Sequence, residues 1–230
     1  LSKYNPKVVT RIHAGNGALL AEYSIEKRVF VPINVIPKTV INAFISAEDK
    51  DFYNHFGLDL KATLRALLTN LKNIGSGKRL IGASTITQQV AKNFLLSSEV
   101  SYERKIKEAI LSIRIERAFS KNQILELYLN EIYLGFKSYG VAAASLNYFD
   151  KSLDDLDLAE SAFLAALPKA PNNYNPIHKT KQAVNRRNWV LSQMNRNGYI
   201  DEKTKELESL KIINIRKSTG IDEGYAPYFT

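Results

Sequence analysis

Cysteine is absent from this chain of 230 residues. Its absence excludes disulfides and thiolate metal sites, and it leaves the redox compartment undefined. Histidine is scarce, and His13, His55 and His178 lie far apart in sequence, which argues against a histidine metal cluster. Long apolar runs are missing too, since the richest, residues 162–167, falls well short of the ~18 residues that a membrane-spanning helix needs. We therefore expect neither a metal site nor a spanning helix in the residues given.

Acidic side chains are outnumbered, with 23 Asp and Glu against 32 Lys and Arg, so the formal net charge is +9. Such an excess favours anionic partners, such as phosphate esters, nucleic acid or a lipid surface, without choosing among them. A hydrophobic content of 45% is ordinary for a globular protein. The length allows one large domain or two small ones.

Strand signals are confined to the first part of the chain, in VVTRI, ALLAEY and RVFVPI around the turn-forming AGNG. From Pro37 onward, apolar residues recur at three- and four-residue spacings with repeated capping signals, which predicts helices. The expected fold is mainly α with a small N-terminal β element. Predicted helices cover residues 59–72, 84–96, 101–119, the stretch after a Ser120–Gln123 capping box, and residues 139–149, 156–167, 180–197 and 201–210.

Three segments are predicted to lie outside the helices. The prolines of PKAPNNYNP, residues 168–176, indicate an ordered loop. Gly198 suits the position just past a helix end. IGSGKR, residues 74–79, is expected to form a mobile loop beside a ligand site.

The segment GASTITQQVAKN combines a capping turn with two adjacent glutamines, a lysine and an asparagine. Ser84 or Thr85 can cap the helix, and Gln88, Gln89 and Lys92 then follow at spacings that overlap on one side. A groove for a polar ligand needs donors and acceptors in such fixed positions. On this segment alone a solvated helix face is favoured, because polar helix residues usually face water.

Two acidic residues, Glu48 and Asp49, end the apolar stretch VINAFIS and precede the aromatics of DFYNHFG. Apolar surroundings raise the proton affinity of a carboxyl group, as a general acid or base requires. The alternative is a solvated carboxylate near a helix end, which is favoured for the segment taken alone. His55 is interpreted as a hydrogen-bonded structural histidine rather than a catalyst.

The predicted helix SYERKIKEAILSIRIER starts with two cations, Arg104 and Lys105, where the helix dipole disfavours them. Arg104 also precedes Glu108 by four residues, the less favourable order for an ion pair. Local rules broken together suggest a functional site, and cations beside free N–H groups would make an anion site. The alternative is a surface helix on which Glu103 pairs with Lys107. Carboxylates near such cations suggest sugar or phosphate chemistry, and the sequence has no nucleotide-loop or zinc motif.

Five segments occur in the order of the five motifs of peptidoglycan glycosyltransferases: EDKDFYNHFG, GASTITQQVAKN, RKIKE, ILELYLNEIYLG and RRNWVL. The chain thus resembles the glycosyltransferase domain of class A penicillin-binding proteins from about Val31 to about Met194. The resemblance implies a mainly helical, lysozyme-like fold with two lobes and a cleft. We expect a piece of a longer protein, with a linker from a membrane anchor over residues 1–30, the glycosyltransferase domain over 31–213 and the start of a linker to a transpeptidase domain over 214–230.

By resemblance, the activity is the polymerisation of lipid II into β-1,4-linked glycan strands, with inversion and release of undecaprenyl pyrophosphate. Glu48 would be the general base, and Glu108 its partner on the acceptor or pyrophosphate side. Asp150 stands where the family often has glycine, a departure that touches a turn rather than the cleft. The cleft would be lined by Asp49, Ser84, Gln88, Gln89, Lys92, Asn93, Arg104 and Lys105, with Lys92, Arg104 and Lys105 on the pyrophosphate. The motif residues with structural roles would be His55, Gly57, Asn130, Glu131 and Arg186.

Partners and location follow from the same resemblance. The expected partners are lipid II and the growing lipid-linked glycan, the outer surface of the cytoplasmic membrane and moenomycin-type inhibitors, but not nucleic acid. The expected location is the extracytoplasmic face of the cell membrane, with an anchoring transmembrane helix outside the given residues. No cofactor is required, although a divalent cation is allowed.

Two rival functions remain open. A lytic enzyme that cleaves peptidoglycan would share the fold and a catalytic glutamate, but it would not need cations aimed at a pyrophosphate. A non-catalytic binder of nucleic acid or anionic membrane would show an affinity that falls steeply with salt and does not depend on Glu48.

Overall fold

The structure, a computed structural model, describes residues 10–13, 19–23, 27–75, 82–95 and 101–215, with side chains from residue 28 onward except at 94 and 95. Helices dominate these residues, so the expected mainly α class is confirmed. The α-helices are α1 (Lys38–Glu48), α2 (Leu60–Lys72), α3 (Ile86–Leu95), α4 (Tyr102–Ala118), α5 (Lys121–Glu131), α6 (Val141–Phe149), α7 (Leu158–Ala166), α8 (Thr180–Arg196) and α9 (Glu202–Leu210). The strands are β1 (Thr10–His13), β2 (Leu19–Tyr23), β3 (Lys27–Arg28) and β4 (Ser138–Tyr139).

Backbone contacts divide the chain into two compact units. One unit comprises residues 1–43 and 130–230, and the other comprises residues 44–129. The boundaries fall within α1 and α5. Every residue predicted to be catalytic or to bind substrate belongs to the unit formed by residues 44–129.

The N-terminal strands form a small antiparallel pair, in which Arg11 of β1 lies opposite Glu22 of β2. This pair confirms the predicted β element. The prediction of a third strand over RVFVPI is wrong after its first residue, Arg28. The observed strand β3 ends at Arg28, after a short parallel pairing with β4. Val31 bonds instead to the side chain of Asn130, which accepts its N–H at 2.7 Å and donates to its carbonyl at 2.8 Å.

Side-chain caps start several helices where the sequence predicts them. The carboxylate or hydroxyl of Asp59, Ser101 and Asp201 accepts a backbone N–H of the first turn of α2, α4 and α9. Ser120 and Gln123 form the predicted capping box before α5, with the Ser120 N–H donating to Gln123 Oε1 at 2.8 Å. These caps satisfy N–H groups that a helix start leaves without intrahelical partners.

Other predicted boundaries shift by about two residues where a different residue caps the helix. α3 begins at Ile86 rather than at residue 84, because Thr85 provides the cap. α7 begins at Leu158, after the Asp157 cap. Residues 168–176 contain a single turn of 3-10 helix and no α-helix. The predicted mobile loop lies outside the described residues from residue 76 onward.

Left-handed backbone occurs at two predicted turns. Gly198 follows α8 with φ +76°, as expected for a residue just past a helix end. Asp150 ends α6 with φ +55°, so the position that departs from the family's usual glycine is indeed a turn. Aspartate tolerates this conformation better than most residues with a side chain.

The unit that contains α6, α7 and α8 has an aromatic core. The rings of Tyr148, Phe149 and Phe163 contact one another, with centroids 5.5 to 6.2 Å apart. The Tyr148 hydroxyl donates to the carbonyl of Leu134 at 2.7 Å. Burial raises the pKa of Tyr148 well above its usual value, so this phenol stays a neutral hydrogen-bond donor.

The unit of residues 44–129 has its own apolar core. Phe44, Phe52, Ile86 and Leu125 are fully buried, and Phe44 meets the ring edge of Tyr128 at 6.3 Å. Packing of α3 against α4 contributes the largest helix contact in this unit. The core therefore holds the end of α1, the start of α3 and the length of α4 in fixed positions, as a site built on helices requires.

Candidate active site

Glu48 is the last residue of α1 and is half-buried. The side-chain amide of Gln89, on α3, donates to Glu48 Oε2 at 2.8 Å. The predicted base and one predicted cleft residue are therefore in direct contact, although they are 41 positions apart in sequence. A half-buried carboxylate oriented by a neutral donor is suited to accept a proton from a bound hydroxyl group.

Asp49 holds the start of α3 beside the end of α1. Its carboxylate accepts the backbone N–H of Ile86 at 3.0 Å and lies 3.0 Å from Nε2 of His55 through both oxygens. A carboxylate at a helix N-terminus also interacts favourably with the helix dipole. Asp49 is thus engaged within the protein, as is His55, whose ring meets the edge of Phe52. A direct contact of Asp49 with substrate stays a prediction.

Thr85 and Gln88 form a capping box at the start of α3. The Gln88 N–H donates to Thr85 Oγ1 at 3.1 Å, and the Thr85 N–H donates to Gln88 Oε1 at 3.0 Å. Of the two caps that the sequence left open, Thr85 is the one used. The prediction that Gln88, Gln89 and Lys92 share one polar side is wrong for Gln88, because capping draws its buried side chain back to the helix start. Lys92 is exposed, as is Asn93 after it.

Glu108 forms ion pairs with both cations of the first turn of α4. Arg104 Nη1 lies 2.7 Å from Glu108 Oε1, and Lys105 Nζ lies 2.6 Å from Glu108 Oε2. Only 2% of the Glu108 side chain is exposed. The alternative surface pair is present as well, since Lys107 contacts Glu103 at 2.6 Å on the exposed side of the helix. α4 therefore carries a buried cluster on one side and a solvated ion pair on the other.

Lys105 links the cluster to the segment that precedes α3. Its Nζ also donates to Ser84 Oγ at 2.9 Å. About half of the Lys105 side chain remains exposed, so the ammonium group is accessible to a ligand. The structure thus places Ser84, Arg104, Lys105 and Glu108 together on one side of the site. With two cations and one carboxylate, this cluster has an excess of positive charge suited to a phosphate ester.

A cavity of about 230 Å³ opens beside Glu48. It is bounded by the end of α1, by α2 and by the segment before α3. Its lining includes Glu48, Ser84 and two α2 residues that sequence reasoning missed, Arg65 and Thr69. The helical periodicity of α2 contained no signal that would separate these two from other polar positions.

Tyr128 is buried close to the two adjacent carboxylates. Burial raises the pKa of Tyr128 well above its usual value, and the charges of Glu48 and Asp49 raise it further. The tyrosine therefore stays neutral. It contributes its ring to the wall behind the carboxylates, where it packs on Phe44.

Gly57 is required by the loop that follows His55. It has φ +86°, and a Cβ at this position would lie 2.9 Å from the backbone of Ser112 on α4. Its carbonyl accepts the Thr85 hydroxyl at 2.7 Å. Close approach of two backbones explains why only glycine fits.

The other motif residues predicted to be structural lie in the unit formed by residues 1–43 and 130–230. Asn130 fastens Val31 through its amide, and Glu131 forms an ion pair with Arg28. Arg186 stacks over Trp189 at 3.7 Å. None of these residues belongs to the unit that carries Glu48.

Sequence reasoning missed Arg187, the second arginine of RRNWVL. Arg187 is fully buried and donates to the carbonyls of Ser209 at 2.9 Å and Lys211 at 2.7 Å. It therefore ties the last turn of α9 and the residue after it to α8. Two adjacent arginines gave no local signal of which one turns inward.

In the part of the chain that the structure describes, no three His, Asp or Glu side chains are placed to hold a metal ion together. Among the described helices, none is both long and apolar enough to span a membrane.

Residues 16–195 match the protein-family model described as Transglycosylase, so the chain belongs to the transglycosylase family. The chain is similar to penicillin-binding protein 1A of Rickettsia felis, with 52% identity over 229 residues, which cover 100% of this chain and 29% of that protein. It is also similar to penicillin-binding protein 1A of Aquifex aeolicus, with 46% identity over 217 residues, 94% of this chain and 30% of that protein. The resemblance stated from the five motifs is confirmed.

A solved structure supports the same conclusion about the fold. The crystal structure of penicillin-binding protein 1A from Haemophilus influenzae aligns with a TM-score of 0.55 and 26% identity, over 94% of this chain and 22% of that one. The chain spans less than a third of the length of the relatives it matches.

Proposed function

We propose that the protein is a peptidoglycan glycosyltransferase that polymerises lipid II into β-1,4-linked glycan strands, as part of a longer bifunctional penicillin-binding protein. Family membership supports the reaction class. The observation that carries the proposal is the contact of Glu48 with Gln89 in the same compact unit as the Arg104–Lys105–Glu108 cluster. A base and a cationic clamp are the two parts that displacement of a pyrophosphate needs.

In this reaction Glu48 accepts the proton of the 4-hydroxyl group of the acceptor lipid II. The acceptor oxygen bonds to C1 of the sugar at the lipid-linked end of the growing glycan. The bond from C1 to the pyrophosphate oxygen breaks, and undecaprenyl pyrophosphate leaves with the electron pair. One in-line displacement at an α-linked C1 yields a β-linked product, so the reaction inverts the configuration without a covalent intermediate.

The cationic cluster supplies the electrostatic part of the mechanism. Negative charge grows on the pyrophosphate as the bond to C1 breaks, and preorganised cations lower the energy of that state. Lys105 is accessible, and Arg104 is held beside it by Glu108. Exposed Lys92 on α3 adds a third cation. Glu108 therefore acts by holding the two α4 cations in place.

A lipid surface is the proposed neighbour of α2. This helix exposes Leu64, Leu67, Leu68 and Leu71 by more than half of their surface each, on one helical face. Exposed apolar patches of this kind typically mark interaction sites. This face supports contact with a membrane surface. The placement on the extracytoplasmic side of the cytoplasmic membrane, with the anchoring helix elsewhere in the full-length protein, is proposed from the family's lipid-linked substrates.

Inhibitor binding and cofactor use are proposed from the same site. A moenomycin-type glycan that carries a phosphate and a lipid tail matches the combination of cleft, cations and apolar face. The proposed displacement includes no required cofactor, and a divalent cation bound to the substrate's pyrophosphate is compatible with it.

The decisive assay supplies the protein with lipid II and, in a separate reaction, with polymerised glycan. Formation of glycan polymer supports the proposal. Breakdown of glycan without polymerisation would identify a lytic enzyme instead. If neither reaction occurs and the protein binds anions with an affinity that falls steeply with salt, it is a binding module.

A further inference from the structure

An ion pair with a buried carboxylate lies behind the active site, on the side of α3 away from Glu48. Lys121, at the start of α5, contacts Glu116 of α4 at 2.7 Å, and the Thr87 hydroxyl of α3 donates to the same glutamate oxygen at 2.5 Å. The Glu116 side chain is 3% exposed, and Thr87 is fully buried. Lys121 also sits over the ring of Phe52, 4.4 Å from its centroid.

Stability alone is a weak reason for this arrangement. Burying two charges costs desolvation energy that their attraction offsets only in good geometry, and apolar replacements of such pairs are often neutral or stabilising. Thr87 lies 29 positions from Glu116, so the contact is tertiary rather than local. A buried charge that reaches across to another helix is suited to fix the position of that helix.

α4 holds α3 at two points. Lys105 bonds to Ser84 just before α3, and Glu116 bonds to Thr87 in its first turn. The 11 positions between Lys105 and Glu116 span about 16 Å of helix at 1.5 Å per residue. On the α3 side the two attachments lie only three positions apart, at Ser84 and Thr87, so together they fix the start of this helix.

Gln89 is the residue that this constraint affects. Thr87 and Gln89 are two positions apart on α3 and therefore point about 200° apart around the helix. Thr87 faces Glu116 and Gln89 faces Glu48. A rotation of α3 that releases Thr87 moves the Gln89 amide away from the carboxylate.

We propose that Glu116 is a positioning residue that acts through Thr87 to hold Gln89 against Glu48. Glu116 does not touch the substrate in this scheme. Glu116 orients α3, and Gln89 of α3 orients the base, Glu48. The inference rests on the proposed transferase function, because polymerisation is the reaction that reports on Glu48.

Thr87→Val tests the proposal, because it removes the hydroxyl group and keeps a similar volume. We expect kcat for lipid II polymerisation to fall about tenfold, with KM changed by less than about twofold, since a small displacement of a catalytic group slows chemistry. Thr87→Ser keeps the hydroxyl and is expected to restore kcat. Should Thr87→Val not fold, Thr87→Ala removes the same hydroxyl and replaces it in the assay.

Ser145→Ala is the matched control, because it removes another buried hydroxyl, which donates to the Lys151 carbonyl at 2.7 Å in the other unit. This variant should lose stability and keep its kcat. A general effect of destabilisation would lower kcat in both variants.

A double-mutant cycle with Gln89→Met separates positioning from a merely structural role. If Thr87 acts through Gln89, Thr87→Val should lower kcat by less than about twofold once Gln89 is gone. Equal losses in both backgrounds, or unchanged kcat in Thr87→Val, would overturn the inference. A wild-type protein that makes no polymer would instead contradict the proposed function.

Discussion

Two glutamates on α4 carry their charge in nearly complete burial, with 2% of the Glu108 side chain and 3% of the Glu116 side chain exposed. A carboxylate removed from water needs close partners. Glu108 takes Arg104 and Lys105 from its own helix, whereas Glu116 takes Lys121 from α5. The first cluster is open to a ligand through Lys105, whose side chain is half exposed, whereas the Lys121 side chain of the second is only 20% exposed. The two glutamates are therefore similarly buried, but their cations differ in their access to a ligand.

Neighbouring lysines on α4 provide a prediction at this scale. Lys105→Met removes an accessible cation and the contact with Ser84, and we expect the rate of lipid II polymerisation to fall about 100-fold. Lys107→Met removes only an exposed pair with Glu103, and the rate should stay within about twofold of the wild type. Initial rates on lipid II check both variants. Similar rates for the two variants would contradict the role of Lys105.

Some of these residue roles can be read from sequence and others cannot. The Thr85-x-x-Gln88 pattern is a visible capping box, so the inward turn of Gln88 was within reach of local rules. The contact between Gln89 and Glu48 depends on how α3 packs on α1, which no local rule gives. The motif resemblance named both residues as functional, but only the packing shows that they touch.

Caps decide where the helices begin. Asp59, Ser101, Asp157 and Asp201 each accept a backbone N–H at the start of a helix. All four are residue types that are favoured at the N-cap position. The predicted helices are therefore present in the structure, and their first residues differ from the prediction by about two positions at most. The third strand was mispredicted because a tertiary contact, from Asn130 to Val31, takes the backbone groups that a strand would use.

Asp157 supplies a prediction about pH. Burial opposes its ionisation, but the Glu160 N–H and the Lys211 ammonium group outweigh burial and lower the pKa of Asp157 below its usual value. A carboxylate with a lowered folded pKa stabilises the protein above its unfolded pKa, about 3.9, and loses this effect as the pH falls through the folded value.

Asp157→Asn keeps a good cap and removes the charge. At about pH 6 we expect the variant to be less stable than the wild type by less than about 1 kcal/mol. The difference should shrink as the pH is lowered below about 4. Thermal unfolding across this range measures it, with the exposed Asp154→Asn as a control. A difference that grows toward acid would contradict the assignment.

The exposed face of α2 gives a second prediction for an element. We expect the double variant Leu64→Gln, Leu71→Gln to partition onto vesicles that contain anionic lipid about tenfold less, or weaker still. The reason is that two leucine side chains no longer bury apolar surface in the lipid. Leu207→Gln with Leu210→Gln on α9 is the matched control, since both are exposed in the other unit. Co-sedimentation with vesicles measures the partitioning. Equal losses for the two pairs would exclude α2 as the lipid-facing element.

At the scale of the whole molecule, the predicted catalytic and substrate-binding residues all fall within residues 44–129, and the motif residues Asn130, Glu131 and Arg186 fall in the other unit. Sequence periodicity was enough to predict the mainly α class, because helical repeats and caps are local signals. The order of the five motifs was enough to predict the family. The contact between Thr87 and Glu116 was not predictable, since it joins residues that meet only after α3 packs on α4.

Lipid II polymerisation by Glu48→Gln, measured beside the wild type and Glu103→Gln, tests the central claim most directly. Gln keeps the size of the Glu48 side chain and an oxygen that can accept from Gln89, but it cannot act as the base. Glu103 is exposed, and its replacement should leave the rate unchanged. We expect no polymer from Glu48→Gln, with thermal unfolding close to that of the wild type. Polymerisation by a folded Glu48→Gln protein at a rate near that of Glu103→Gln would contradict the assignment of Glu48 as the base.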